Sequence, residues 1–438
     1  MKVLYDISVL GCAQTNPLAR TGVYRVVENV ARGLKALEEC ELSFCETLSF
    51  PVLQGCLAYL ESNLEFRNIP LIHSNFLIHF YLKYKDLERL VDNRIMTSNT
   101  VDDTLKLSAT ANNLYQSLRE VRKNLEREYI ESSEVPEDTD IFHATYYPLP
   151  QFVNNKKVTR FLTICDLIPI LYPQFFGQER PEDHIVYHAL KSIDRDRDFI
   201  ICISQATKND VCNYLKIDPN RVFVTYLAAS PSIFYPCSDL QKIQSVKQSY
   251  GIPNGPYLLS LSTLEPRKNI ISVIRSFIKI VREEKISDLC LVLVGNLGWN
   301  YENIFAEISQ YPDVKNRIII TGRIADDDLA AVYSDALAFI YPSLYEGFGL
   351  PPLEAMQCGI PIIVSNTSSL PEVVGNAGIT VEPQNIDSLC QSILQLYSDS
   401  ALQKKLSQKS LDRAKNFCWE KCSRETFSAY QTASNTQL

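Results

Sequence analysis

Residues 341–356 read Tyr341-Pro-Ser-Leu-Tyr-Glu-Gly-Phe-Gly-Leu-Pro-Pro-Leu-Glu-Ala-Met356, and their reading decides the fold. The five residues before them, Ala-Leu-Ala-Phe-Ile at 336–340, form a short apolar run suited to a strand. The stretch ends in Leu353-Glu-Ala-Met, which is strongly helical. Between lie Gly347 and Gly349, then Pro351 and Pro352 where a first helical turn tolerates them. The pattern predicts a strand, a glycine-rich turn and a helix N-terminus. Free backbone N–H groups and a positive dipole end at such a junction suit a phosphate. Glu346 and Glu354 flank the turn. Carboxylates are repelled by a phosphate, so these two are read as accepting hydrogen bonds from neutral hydroxyls. A diphosphate carrying a ribose on one side and a hexose on the other has both features. A lone Gly-x-Gly would instead read as an ordinary connection with two solvated glutamates.

The run Pro342-Ser-Leu-Tyr-Glu-Gly-Phe-Gly-Leu-Pro-Pro-Leu-Glu-Ala-Met356 resembles the Glu-x7-Glu signature of retaining glycosyltransferases of the GT-B type, family 4 in particular. The resemblance implies an α/β protein with two Rossmann-like, doubly wound domains facing across a cleft. It covers most of the second half in detail and the first half in scattered segments.

The chain of 438 residues is long for one domain, and two are the natural expectation. Apolar strand-like runs alternate with helical patterns in both halves, which supports two parallel sheets. A hydrophobic share of 46% with 21% charged residues is a globular composition. The net charge of −8 provides no overall basic field for nucleic acid. No apolar run approaches the roughly 18–20 residues of a membrane helix. The N-terminus is strand-like and does not read as a signal peptide. The 13 cysteines are scattered without a Cys-x-x-Cys pair and read as reduced, buried thiols in a cytoplasmic protein.

Taken in order, residues 3–10 read as the first strand and 11–21 as a polar loop. Gly22 precedes a helical pattern, so its backbone is a candidate for close approach to a phosphate. Residues 51–135 contain helical patterns at 76–84 and 105–129. Their charged faces read as solvated, with an acceptor-binding or membrane-surface insertion as the other reading. His143 lies near the end of a strand at 140–144, where α/β sheets build clefts. Asp194-Arg-Asp-Arg-Asp198 closes a helix expected over 184–198 and reads as solvated charge pairs rather than a metal motif. Asp326-Asp-Asp328 likewise complements a helix dipole. Residues 231–255 read as the linker, placing the domains at 1–235 and 236–418, with a last helix at 419–438 returning to the first.

In the second half a strand runs into Glu265-Pro-Arg-Lys-Asn269 and a long apolar-periodic helix. Arg267 and Lys268 there are suited to a diphosphate whose charge grows as it departs. The family motif Glu-x-Arg-Lys-Asn matches this segment. By resemblance, Glu346 orients the donor hexose and Glu354 holds the ribose hydroxyls. Arg323 and Ile324 border the nucleobase, and the backbone of Gly347, Phe348, Gly349 and Leu350 lies against the donor. His143 lies under the transferred sugar. The implied reaction moves a hexose from a nucleotide-sugar, UDP favoured over GDP, to a glycan or lipid-linked acceptor in cell-surface polysaccharide synthesis. It proceeds with retention and without metal or resident cofactor, with contact at the inner membrane face as a further expectation. The competing readings are a non-catalytic sugar-nucleotide-binding protein and a GT-B epimerase or phosphorylase.

Overall fold

The apolar runs fold as strands of two parallel sheets in the computed structural model, which describes residues 1–16, 22–72, 135–153, 157–176 and 180–436. The first sheet holds β1 (Lys2–Asp6), β2 (Glu41–Cys45), β3 (Ile141–Ala144), β4 (Thr159–Ile164), β5 (Phe199–Cys202) and β6 (Val222–Val224), in the order β2-β1-β3-β4-β5-β6. The second holds β7 (Tyr257–Leu261), β8 (Cys290–Val294), β9 (Ile318–Gly322), β10 (Ala338–Tyr341), β11 (Ile362–Ser365) and β12 (Ile379–Val381), in the order β12-β11-β10-β7-β8-β9. Every residue of β3, β4, β8, β10 and β11 is buried, as expected of parallel strands covered on both faces. The chain divides into two compact units. One comprises Met1–Thr163, Lys191–Phe199 and Phe427–Leu438, the other Ile164–Leu190 and Ile200–Thr426.

The second sheet is the one that positions the candidate site. Its chain winds outward through β7, β8 and β9, then returns so that β10 lies beside β7. At such a switch point the loops leaving two neighbouring strands diverge, and a crevice opens at their carboxyl ends. Helix Ile270–Glu283 follows β7 and buries Val273, Ile274, Phe277, Ile278 and Val281 along one face. That face packs with Leu291 and Leu293 of β8 and with Leu389, Ile393 and Leu396 of helix Ile386–Ser398. Each such side chain contributes roughly 1.5–3 kcal/mol on burial, so the turn between β7 and this helix is held by a firm base.

Local structure departs from the sequence reading at four places. The first strand ends at Asp6, not residue 10, and Ser8–Thr15 is a helix. The cause is the buried Asp6 carboxylate, whose Oδ1 accepts from the Ser8 N–H at 2.9 Å and its hydroxyl at 2.5 Å, turning the chain. The linker region contains helix Leu240–Ser249, started by Asp239 accepting from the N–H groups of Gln241 and Lys242. The helix expected over 184–198 spans only Ile185–Lys191, and a turn follows. Asp198 is not solvated: it is fully buried and forms a two-point pair with Arg160, at 2.6 and 2.5 Å. The last helix begins at Trp419 as expected and runs to Thr436. The helical patterns at 76–84 and 105–129 lie outside the described residues, as does the end of the polar loop at 17–21.

Candidate active site

All six strands of the second sheet run parallel, so their carboxyl ends share one edge. The loop after β7 carries Glu265 and a 3-10 turn, Pro266–Lys268. Asn269 follows in the left-handed region at φ +55° and joins the turn to helix Ile270–Glu283. Asparagine tolerates that conformation better than most residues. Its side-chain amide donates to the carbonyls of Pro342, at 3.1 Å, and Pro383, at 2.7 Å. The Arg-Lys turn is thereby tied to the loop leaving β10.

That loop brings Glu346 to the two cations. Glu346 Oε2 lies 2.9 Å from Arg267 Nη1, and Oε1 lies 2.6 Å from Lys268 Nζ. Oε1 also accepts from the Tyr341 hydroxyl at 2.9 Å and the Ser343 hydroxyl at 2.5 Å. Burial alone would raise the Glu346 pKa, but Arg267 and Lys268 outweigh it and hold the carboxyl at about 2. Burial lowers the Lys268 pKa, with Arg267 adding to the effect against Glu346. Burial acts the same way on Arg267, but Glu346 and Glu265 reverse it and leave the guanidinium above its ordinary value. Glu265 lies 2.8 Å from Arg267 Nη2. Two cations thus face two carboxylates in a buried cluster of balanced charge. The sequence reading had Glu346 accepting only from neutral hydroxyls; in the structure its partners are both cations and two protein hydroxyls.

The turn itself is built on two glycines. A Cβ on Gly347 would sit 2.3 Å from the carbonyl oxygen of Cys165 and 3.0 Å from Asp166 Cβ, so only hydrogen fits. Gly349 has φ +105° and caps helix Leu350–Gln357, with Pro in its first turn as expected. Phe348 is buried, and Leu350 is half-buried. Asp166, next to Cys165 in the chain, thereby comes within electrostatic range of both Arg267 and Glu346. Glu354 lies on that helix with its side chain buried, and its Oε2 accepts from the Tyr333 hydroxyl at 3.1 Å. Arg323 is exposed and Ile324 buried just past β9, on the same sheet edge.

The segment after β11 grips the β10 loop from the other side. Ser368 Oγ accepts from the Glu346 N–H at 2.9 Å, and Ser369 Oγ lies 2.9 and 2.8 Å from the carbonyls of Glu346 and Phe348. Thr367 and Ser365 donate to the carbonyls of Leu344 and Ser343. Glu372, two residues past the start of the next short helix, accepts from the N–H groups of Gln205 and Ala206, both at 2.9 Å. It occupies the N-terminus of helix Gln205–Leu215, whose N-cap is Ser204. Sequence reasoning quoted Glu265, Tyr341 and Ser343 within its motifs without giving them a role, and it singled out neither Ser368 nor Ser369. The serine-rich run 365–369 reads locally as a polar loop, and nothing in it reveals a partner at Glu346.

Two predicted site residues belong to the other unit. His143 is fully buried in β3, with Nδ1 2.6 Å from the Tyr430 hydroxyl and Nε2 2.7 Å from the Thr163 hydroxyl. Both ring nitrogens are therefore engaged, and burial holds the imidazole neutral with a pKa of about 3. A side-chain contact to a substrate would require one of these bonds to break. Gly22 is exposed and begins helix Gly22–Lys35. Among the described residues no His, Cys, Asp and Glu side chains group as metal ligands, and no helix is long and apolar enough to cross a membrane.

Residues 242–413 match the family described as glycosyl transferases group 1. The chain is 32% identical over 294 residues to the O-antigen chain mannosyltransferase B of Escherichia coli, spanning 66% of this chain and 74% of that one. It is 31% identical over 260 residues to the serotype-specific mannosyltransferase WbdA of Escherichia coli, covering 59% of this chain but only 32% of the longer protein. Among solved structures, sucrose-phosphate synthase from Thermosynechococcus elongatus superposes with TM-score 0.62 at 17% identity, over 98% of both chains. Anabaena HepE in complex with UDP and glucose gives the same score at 15% identity, also over 98% of both chains. At these identities the likeness establishes the fold alone, two Rossmann-like α/β sheets of the GT-B class.

Proposed function

From the premise that the chain belongs to the glycosyl transferases group 1 family and is a glycosyltransferase, we propose that it moves a hexose from a nucleotide-sugar to a hydroxyl of a glycan or lipid-linked acceptor, with retention at the anomeric carbon. The named activities of its relatives support mannose as the sugar and bacterial surface polysaccharide as the product. The observation that carries the reading is the buried cluster of Arg267, Lys268 and Glu346 at the carboxyl ends of β7 and β10. Fixed cations there stabilise charge that develops on a departing diphosphate better than mobile water does.

In this reading the bond from the anomeric carbon to the diphosphate oxygen breaks, and its electron pair leaves with the diphosphate. The acceptor oxygen bonds to the same face of that carbon, and its proton passes to the departing phosphate. Arg267 and Lys268 hold the growing negative charge. Glu346 keeps both cations in register and orients the hexose hydroxyls. Glu354 receives the ribose hydroxyls, with Arg323 and Ile324 beside the base. The backbone of Gly347 to Leu350 lies against the donor. The domain boundary near residue 235 belongs to the same proposal.

Donor identity is tested by thermal shift with UDP-, GDP- and ADP-sugars, GDP-mannose and UDP-glucose among them. Ligand at a hundred times its Kd adds roughly 2.7 kcal/mol of stability. Lys268→Ala should then lower turnover of the stabilising donor by about 10²–10³, the cost typical of losing one preorganised electrostatic contact. Equal turnover in wild type and variant would remove the catalytic assignment of Lys268.

A further inference from the structure

Five described residues other than glycine have φ in the left-handed region: Lys216, Asn269, Lys285, Asn300 and Ser368. Asparagine adopts this region readily, and Lys216 and Lys285 terminate helices, where it is the usual cap conformation. Ser368 belongs to neither group. It lies at φ +50° before helix Leu370–Val374, and its hydroxyl oxygen accepts from the N–H of Glu346 at 2.9 Å. Strain of this kind persists where surrounding contacts over-determine it. Here they do: Ser369 is tied to the carbonyls of Glu346 and Phe348, and Thr367 to that of Leu344.

We propose that Ser368 is a positioning residue for the transfer reaction, held in a strained conformation so that its hydroxyl fixes the main chain of Glu346. The Glu346 carboxylate in turn aligns Arg267 and Lys268. This rests on the functional reading above. Side-chain contacts set where the carboxylate points, but only the backbone sets where it starts. With Gly347 pressed against Cys165 on one side, the Ser368 bond is what fixes the peptide on the other. A misplacement of a reacting or charge-bearing group by about 1 Å costs on the order of 10²-fold in rate.

Strain and hydroxyl can be separated by substitution. S368G removes both, since glycine enters the left-handed region freely. S368A keeps the strain and loses the hydroxyl. S368T keeps the hydroxyl and adds strain, because a β-branched residue fits this region worst. Melting temperature, turnover of GDP-mannose and UDP-glucose, and hydrogen exchange of the amides at 346–348 are measured on all four proteins. S368G should melt above S368A, yet both should lose turnover by about 10- to 100-fold. S368T should melt below wild type while recovering most of the turnover lost in S368A. The Glu346 amide should exchange at least tenfold faster in S368G and S368A only. Turnover that ranks with melting temperature, or a Glu346 amide equally protected in S368G, would overturn the proposal. Should wild type turn over neither donor, the functional reading is what fails, and amide exchange still decides whether Ser368 holds Glu346.

Discussion

Replacing Glu346 by glutamine tests whether the buried cluster is held by charge or by shape. Glutamine keeps the size and the hydrogen-bonding outline but loses the negative charge that Arg267 and Lys268 face at 2.9 and 2.6 Å. The carboxyl titrates at about 2 in the fold against an ordinary 4.5. At 1.36 kcal/mol for each pKa unit, this corresponds to roughly 3 kcal/mol of stability from ionised Glu346 at neutral pH. The sign follows from the folded pKa being depressed. The contribution is complete above pH 4.5 and is lost as pH falls from there toward 2. Linkage puts the remaining contribution at about 2 kcal/mol at pH 3.5. Urea unfolding of wild type and E346Q should therefore differ by about 3 kcal/mol at pH 7 and by about 2 kcal/mol at pH 3.5, without a change in m. A difference below 1 kcal/mol, or one constant from pH 7 to 3.5, would refute the claim that the cations and Glu346 stabilise one another.

Three further outcomes follow from the geometry. Gly347→Ala places a Cβ 2.3 Å from a backbone oxygen that has no flexible end to move, so it should cost at least ~2 kcal/mol by chemical denaturation and lower donor turnover as well. Asp198→Asn strands the Arg160 guanidinium, 3% exposed, without its carboxylate, and should destabilise by about 3–5 kcal/mol, with most of the loss recovered in an apolar Arg160→Met, Asp198→Leu double variant. His143 is held neutral to about pH 3, so the unfolded chain gains its proton first as pH falls below 6.5; the wild type should lose about 2 kcal/mol from this group between pH 7 and 5. Asp6, whose burial raises its pKa to about 6, works in the opposite direction over that range, so the His143 effect is read as the difference between wild type and His143→Gln, in which Asp6 cancels.

The legible parts of this protein were those whose chemistry is local. The stretch 338–357 carries its strand, glycines, prolines and helix within twenty consecutive residues, and the structure gives β10, the Gly349 cap and helix Leu350–Gln357 in that order. Arg267 and Lys268 were recognisable because both follow a strand and precede a helix. Ser8–Thr15 was misread because its apolar residues continue those of β1 without a break, and the change of direction depends on a buried carboxylate that apolar periodicity does not register. Asp198 was misread for the opposite reason. Four of its neighbours in sequence are charged or exposed, while its partner Arg160 is 38 positions away. Ser368 could not be singled out within its polar loop, since its significance lies in a peptide N–H 22 residues earlier.

The bond from Lys268 to Glu346 spans 78 positions of chain. Everything from helix Ile270–Glu283 to β10 lies inside that loop, including β8 and β9. Closing it carries an entropic cost that only the finished sheet repays. A nascent chain that has emerged through β9 therefore holds two cations without the second carboxylate that will neutralise them, and water is the better host for both. The Arg-Lys turn should accordingly be among the last parts of this sheet to dry out, and a chain stopped before residue 346 should show it still open to proteases.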